Sequence, residues 1–361
     1  MKEKIRIGII GTGFAKTVQI PAFQKIEAAE ITSVASARLE NAETVAQQFN
    51  IPHWTADWRE TIEREDVDLV VITTPPVWHY EMTMFALDHN KHILCEKPMA
   101  MNAAQALEMW EKSKEKNVLA VIDHELRFQI GRRRAFEMIR NGEIGKIRHA
   151  NYNFRAPNRG EPNLPWNWWH DETQGGGNLG ASVSHIFDTF RWFLDTEISS
   201  VFCQLQTQVK QRRNEKTGEM RDVTSDDQTN LLVRLHDSNF AEDMTANISA
   251  SMTEYPKYQN RVEFFGTKGA IRIEHRGEIF LGKAGSNDWV KVETELGEMV
   301  EGAPDTGFSR GFIIFAKEII DALKLDKTKI EHAATFEDGY KIQLALDAAR
   351  DSNANGRLVT L

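Results

Sequence analysis

Ile5-Arg6-Ile7-Gly8-Ile9-Ile10-Gly11-Thr12-Gly13-Phe14 is the stretch that decides how this 361-residue chain folds. Its apolar run is broken only by Arg6 and Gly8 and reads as a buried parallel strand. Gly11 then permits a tight turn, and Gly13 lets the backbone come close to a pyrophosphate. The helix that follows offers unpaired N–H groups and a positive dipole end to an anion. A strand, Gly-x-Gly and a helix in direct succession is the context that gives such a loop meaning. The third glycine of the full fingerprint is missing, because Lys16 stands in its place. A plain turn that needs glycine for steric reasons is the bland alternative, and the pattern on either side weighs against it.

Working outward, the first third alternates strand-like and helix-like segments. Glu30–Ala35, Asp68–Thr73, His92–Cys95 and Val118–Ile122 read as strands. Helical spacing appears in Asn41–Phe49, in Ala103–Lys116 and after Thr74-Pro75-Pro76. This alternation predicts a doubly wound parallel sheet with helices on both faces, a Rossmann domain over residues 1–124. Beyond residue 125 the grammar changes. Helical patterns at Ile130–Asn141 and His185–Leu194 are followed by strand candidates in succession: Ser200–Val209, Asp227–Leu235, Met244–Met252, Arg261–Phe265 and Ala270–Glu274. Helical patterns at Phe312–Leu323 and Phe336–Ala349 end the chain. Residues 125–361 therefore read as one α+β domain with a large open, mainly antiparallel sheet. The alternation of Val201, Cys203 and Leu205 with Phe202, Gln204 and Gln206 suits a sheet packed on one face only.

Composition excludes several classes. Lys and Arg total 44 against 53 Asp and Glu, a formal net charge of -9, so nucleic acid is not the expected partner. The local run Arg132-Arg133-Arg134 reads as a solvated helix face or as inter-domain ion pairs. Two cysteines, Cys95 and Cys203, make no disulfide framework and fit a reducing compartment. No apolar run approaches a membrane span, and Met1-Lys2-Glu3-Lys4 runs into a strand without the apolar stretch of a signal peptide. The expectation is a cytoplasmic protein with no membrane partner. The histidines are scattered without ligand spacing, so no metal site is expected.

Three local patterns carry chemistry. After the second strand the chain reads Ala35-Ser36-Ala37-Arg38, with no acid until Glu40. Ser36 and Arg38 suit a 2′-phosphate better than a carboxylate would, which favours NADP over NAD. Cys95-Glu96-Lys97-Pro98 follows a short parallel strand, where loops face the ligand crevice. A lysine there can hold a substrate hydroxyl or stabilise a developing alkoxide. Gly175-Gly176-Gly177 makes a close-approach loop ahead of His185 and Asp188, which lie three apart and share a helix face. Histidine is the natural group to take a hydroxyl proton near neutral pH.

Together these pieces resemble the glucose–fructose oxidoreductase/inositol dehydrogenase/MocA (Gfo/Idh/MocA) family over nearly the whole chain. The ordered motifs are Ile7–Gly13, Ile72-Thr73-Thr74-Pro75-Pro76 with His79, Glu96-Lys97-Pro98, Gly175-Gly176-Gly177 with His185 and Asp188, Phe265-Gly266-Thr267-Lys268-Gly269, and Asp338-Gly339-Tyr340. The resemblance implies hydride transfer between a nicotinamide cofactor, NADP or NAD, and a secondary alcohol of a sugar, cyclitol or polyol. It implies Lys97 and His185 as the catalytic pair. Gly11, Thr12, Gly13 and Phe14 would hold the pyrophosphate, and Thr74, Pro75, His79, Glu96 and Lys97 would line the nicotinamide half. It further implies a homodimer or homotetramer built through the C-terminal sheet. One departure matters. Many members carry an aspartate four residues before the histidine, where this chain has Ala181. Asp188 is the substitute by spacing and is assigned, with Arg127, Trp168 and Trp169, to the substrate pocket. Arg155, Asn158, Arg159 and Asn167 are further polar candidates. Ala181 keeps a second reading open, a non-catalytic cofactor- or sugar-binding regulator on the same scaffold. An NAD-dependent glycosidase is the third.

Overall fold

The structure is a computed structural model that describes residues 3–215 and 217–361. Two compact units make up the chain: Met1–Gln129 with Gly297–Tyr340, and Ile130–Leu296 with Lys341–Leu361. The sequence reading gave everything after residue 124 to the second domain. The structure instead returns residues 297–340 to the first unit, and packing explains why. The helix Gly307–Lys324 buries Phe312, Phe315, Ile319, Ile320 and Leu323 in one cluster with Ile7, Ile9, Val34, Leu69 and Val71. Each such side chain contributes about 1.5–3 kcal/mol when buried, so the helix belongs to the core it completes.

In the first unit, β1 (Ile5–Ile10), β2 (Ala29–Ala35), β3 (His53–Thr55), β4 (Leu69–Ile72), β5 (His92–Cys95) and β6 (Ala120–Ile122) lie in the order β6-β5-β4-β1-β2-β3. All their pairings are parallel, and Ala334–Thr335 adds an antiparallel edge to β6. The strand order reverses direction between β1 and β4. A crevice outside the carboxyl ends of those two strands is where such sheets bind ligands. One row of backbone hydrogen bonds crosses that edge. Gly11 N donates to Ala35 O (2.8 Å), Thr73 N to Ile10 O (2.8 Å), Glu96 N to Ile72 O (2.9 Å) and Asp123 N to Cys95 O (2.8 Å). Residues far apart in sequence are thereby fixed side by side.

The second unit holds β7 (Ile147–Arg155), β8 (Ile198–Gln206), a short pair β9 (Gln211–Arg213) and β10 (Met220–Asp222), then β11 (Gln228–Leu235), β12 (Ala241–Ser251), β13 (Gln259–Gly266), β14 (Gly269–Ile273), β15 (Ile279–Lys283) and β16 (Val290–Val292). Its nine-stranded sheet runs β16-β15-β14-β13-β7-β12-β11-β8 and ends on Val359–Thr360. Only β7 and β12 pair in parallel. The open, mainly antiparallel sheet expected from the sequence is present. Its central strand β7 was not foreseen. Val201, Cys203, Leu231, Val233, Ile248, Val262 and Phe264 turn inward, while Phe202, Gln204, Asn230, Leu232 and Asn247 turn outward. The inner face packs on the helix Ser184–Leu194, with Phe193 and Phe264 rings 5.1 Å apart. Every residue of that helix is buried, so His185 sits on a core helix rather than a surface one. Arg132 is buried too, not solvated: it donates to Thr189 Oγ1 (2.9 Å) and to the Tyr152 hydroxyl (3.0 Å). Among the described residues no helix is long and apolar enough to cross a membrane.

Candidate active site

On the first unit the site is built from the carboxyl edge of the parallel sheet. Gly11 has φ +104°, and a Cβ there would lie 2.3 Å from Thr73 O, so only glycine fits. Gly13 differs. Nothing lies within 4 Å of the Cβ it would carry, and its backbone needs no positive φ. Open space over Gly13, at the start of the helical run that continues through Ala15–Gln19, is a cradle that an added methyl group would begin to fill. Backbone N–H groups there suit a pyrophosphate, so the residues present fit a dinucleotide. The segment Ala15–Gln19 is a π turn, a form often found at functional sites. Ser36 N donates to Thr55 O (3.2 Å), and Arg38 stands exposed beyond the end of β2.

The next two loops are tied together by His79. Its Nε2 faces Thr74 O (2.9 Å) and its Nδ1 faces Pro98 O (2.9 Å). Burial first, and the nearby Lys97 charge, bring its pKa down to about 4. The neutral ring has one proton, so it donates to one carbonyl at a time. His79 has no exposed surface. The expected nicotinamide contact at His79 is therefore replaced by a structural task, holding the Thr74-Pro75 loop against the Lys97-Pro98 loop. Lys97 is half-buried and Glu96 is buried. Glu96 Oε2 accepts from Lys97 N (3.2 Å), and Oε1 accepts from Gln19 Nε2 (3.1 Å). The same amide nitrogen donates to Asp123 Oδ2 (2.9 Å). Burial raises the pKa of both acids, and the Glu125 and Glu96 charges push Asp123 further up. The Gln19 amide thus joins the two carboxyls, and burial favours the protonated form of each. The sequence reading missed Gln19 and Asp123. Their only signal was position, one in the first helix and one just past β6.

Arg127 is engaged elsewhere in the first unit. It pairs with Asp338 (3.4 Å), donates to His332 O (3.3 Å) and is only 5% exposed. The substrate contact expected of it gives way to a tie from the segment after β6 to His332 and to the first turn of the Phe336–Asn355 helix.

On the second unit the glycine loop leads into a π turn, Leu179–Val183, and then the helix Ser184–Leu194. Gly177 has φ +114°, and its missing Cβ would meet Asp226 Oδ1 at 2.3 Å. Asp226 is the residue the glycine makes room for. Its Oδ2 accepts from Leu179 N (2.9 Å) and Thr229 Oγ1 (2.7 Å), so it caps the helical run that carries His185. Burial raises its pKa to about 6 despite those hydrogen bonds. Asn178 is anchored beside it, donating to Ala250 O (2.9 Å). His185 and Asp188 are both buried on the core helix. Trp169 is buried and Trp168 is 39% exposed, so the indole available as a wall is Trp168. Asp226 was missed because its contact with the glycine loop is nonlocal.

Comparison with known proteins agrees with this arrangement. Residues 5–124 match the oxidoreductase family model with an NAD-binding Rossmann fold, and residues 132–272 match the GFO/IDH/MocA C-terminal domain. The chain belongs to the Gfo/Idh/MocA family and is an NAD(P)-dependent dehydrogenase of that family. It is 26% identical to levoglucosan dehydrogenase of Pseudarthrobacter phenanthrenivorans, over 98% of this chain and 97% of the relative. It is 27% identical to myo-inositol 2-dehydrogenase of Thermotoga maritima, over 74% of each. Among solved structures, levoglucosan dehydrogenase in complex with NADH and levoglucosan matches with a TM-score of 0.86 and 25% identity, over 99% of both chains.

Proposed function

We propose that this protein oxidises a secondary alcohol of a sugar, cyclitol or related polyol, or reduces the matching ketone, with Lys97 and His185 as its catalytic residues. The row of backbone hydrogen bonds that sets Gly11, Thr73, Glu96 and Asp123 side by side carries the reading. With the Gly11 turn and the Lys97 loop on one sheet edge, the arrangement supports a phosphate cradle beside a catalytic lysine. The similarity to levoglucosan and myo-inositol dehydrogenases supports the substrate class. A bound nicotinamide supplies the hydride acceptor or donor. Lys97 donates a hydrogen bond to the reacting oxygen and stabilises negative charge as it develops there. His185 accepts the hydroxyl proton. Gly11, Thr12, Gly13 and Phe14 hold the pyrophosphate, Thr74, Pro75 and Glu96 flank the nicotinamide, and Trp168 and Asp188 border the substrate.

Purified protein incubated with NADP or NAD and a panel of sugars and cyclitols, followed at the reduced-nicotinamide absorbance, tests the activity. Turnover is expected with at least one of them. Lys97→Met is expected to lower kcat by ~100-fold or more while cofactor binding persists. No turnover and no cofactor binding would overturn the assignment.

The finer choice is NADP. Exposed Arg38 and half-buried Ser36 follow β2 without an acid between them, and Arg38→Glu should reverse the preference in a titration of both cofactors. The compartment that fits is the cytoplasm. The outward face of the nine-stranded sheet, with Phe202 and the 58% exposed Leu232, is proposed to join copies of the chain into a dimer or tetramer. Light scattering of Leu232→Glu should then show a smaller species than the parent.

A further inference from the structure

Gln19 is a polar side chain with no exposed surface, buried with Ala15 and Val18 in the turn that follows the phosphate loop. An apolar residue would fill that place without burying a polar group. The amide is kept there at a cost, because its Oε1 is buried and has no hydrogen-bond partner. The nitrogen accounts for the residue. A primary amide nitrogen carries two protons, and Gln19 Nε2 meets two carboxyl oxygens, Glu96 Oε1 at 3.1 Å and Asp123 Oδ2 at 2.9 Å.

Glu96 passes that anchorage on. Its other oxygen, Oε2, accepts from Lys97 N (3.2 Å). The backbones of both acids are fixed in turn, Glu96 N to Ile72 O (2.9 Å) and Asp123 N to Cys95 O (2.8 Å). A continuous chain of hydrogen bonds thus runs from the helical run behind the phosphate loop, through one carboxyl, to the backbone of Lys97, all within the first unit. A neutral donor suits this place. Burial raises the pKa of Glu96, and the Lys97 charge opposes that rise. A cation at position 19 would compete with Lys97 for the carboxylate, and an acid would set a third carboxyl beside Glu96 and Asp123. An amide holds Glu96 without either effect.

We propose that Gln19 is a positioning residue for catalysis, which holds the Glu96 carboxyl and, through it, the turn that presents Lys97 to the reacting oxygen. The catalytic part rests on the sugar dehydrogenase reading; the hydrogen-bonded placement does not.

Gln19→Met keeps the volume and removes both donors. With a sugar that the parent protein turns over, kcat is expected to fall by about 10- to 100-fold, the scale of a small misplacement of a catalytic group. kcat/KM should fall by the same factor, because Lys97 acts on charge that develops only in the transition state. Loss of a donor to the carboxylate lets Glu96 keep its proton to higher pH, so the acid limb of the kcat profile should move up by about one unit. A residue that merely packs would leave that limb in place. Combined with Glu96→Gln, the two losses should not add, since both break one connection. Hydrogen exchange at the Lys97 amide, expected to quicken in Gln19→Met, reads the placement without turnover. Should Gln19→Met fail to fold by circular dichroism, Gln19→Asn, which draws the amide back by one methylene, takes its place in each measurement. An active parent with kcat and acid limb unchanged in the variant, or losses that add, would overturn the positioning role and leave the dehydrogenase reading standing. An inactive parent would overturn that reading and the catalytic role with it, and unchanged exchange at Lys97 would overturn the placement itself.

Discussion

Glu96 and Asp123 stand at the ends of neighbouring parallel strands, and one amide nitrogen, Gln19 Nε2, donates to both at 3.1 and 2.9 Å. Two carboxylates cannot face each other in a dry interior with both charges present. Burial pushes both upward, so the pair keeps a proton above the range in which an unfolded chain would release it. The folded state then binds more protons than the unfolded state above about pH 4, and stability falls as pH rises through that window. Asp123→Asn removes one ionisable member and should flatten the decline. Urea denaturation between pH 5 and 8 reads the difference. Equal slopes in the two proteins would mean the pair is not protonated.

Asp226 obeys the same sign with a stated position. Its pKa of about 6 in the fold exceeds the ordinary 3.8. Its contribution is therefore greatest at acid pH and declines as pH rises from about 4 to about 6, by roughly 3 kcal/mol. Asp226→Asn keeps an acceptor for Leu179 N and should lose this pH dependence. Asp226→Ala also loses the cap and should cost about 1–2 kcal/mol more at every pH. Thermal melts across pH 4–7 separate the two variants.

Gly11 and Gly13 are two residues apart and should respond in opposite ways. Gly11→Ala forces a methyl group to within 2.3 Å of Thr73 O at φ +104°, and should destabilise the fold by about 1–3 kcal/mol or more. Gly13→Ala meets nothing within 4 Å and should leave stability within about 0.5 kcal/mol. Its effect should appear as weaker cofactor binding. Denaturant melts beside a cofactor titration give both readings, and intact affinity in Gly13→Ala would place the pyrophosphate elsewhere.

Much of this architecture was legible because periodicity and turn chemistry coincide. His92–Cys95 was delimited correctly, and Asp68–Thr73 proved to contain Leu69–Ile72. Both are apolar runs closed by residues that cannot extend them. Strand β7 escaped because its alternation slips. Ile147, Ala150, Tyr152 and Phe154 are buried, and the first step is three residues where the rest are two. That slip coincides with irregular register against both β12 and β13, a tertiary effect invisible in a linear pattern. The return of residues 297–340 to the first unit is equally nonlocal. At the site, Lys97, the glycine loop and His185 stood out by motif. Gln19, Asp123 and Asp226 did not, since each acts through a partner at least 47 positions away.

The π turn at Leu179–Val183 alters how the Ala181 departure is to be weighed. A π turn closes i to i+5 rather than i to i+4, so it lodges one surplus residue in the helix just ahead of His185. Each residue of an ordinary helix is worth about 100° of rotation. Counting four places back from the histidine therefore does not find the neighbour that a regular helix would supply. The surplus residue works as a rotational spacer: deleting it would turn the upstream glycine loop relative to the imidazole, and an ungapped comparison with a relative lacking the spacer would pair the wrong side chains.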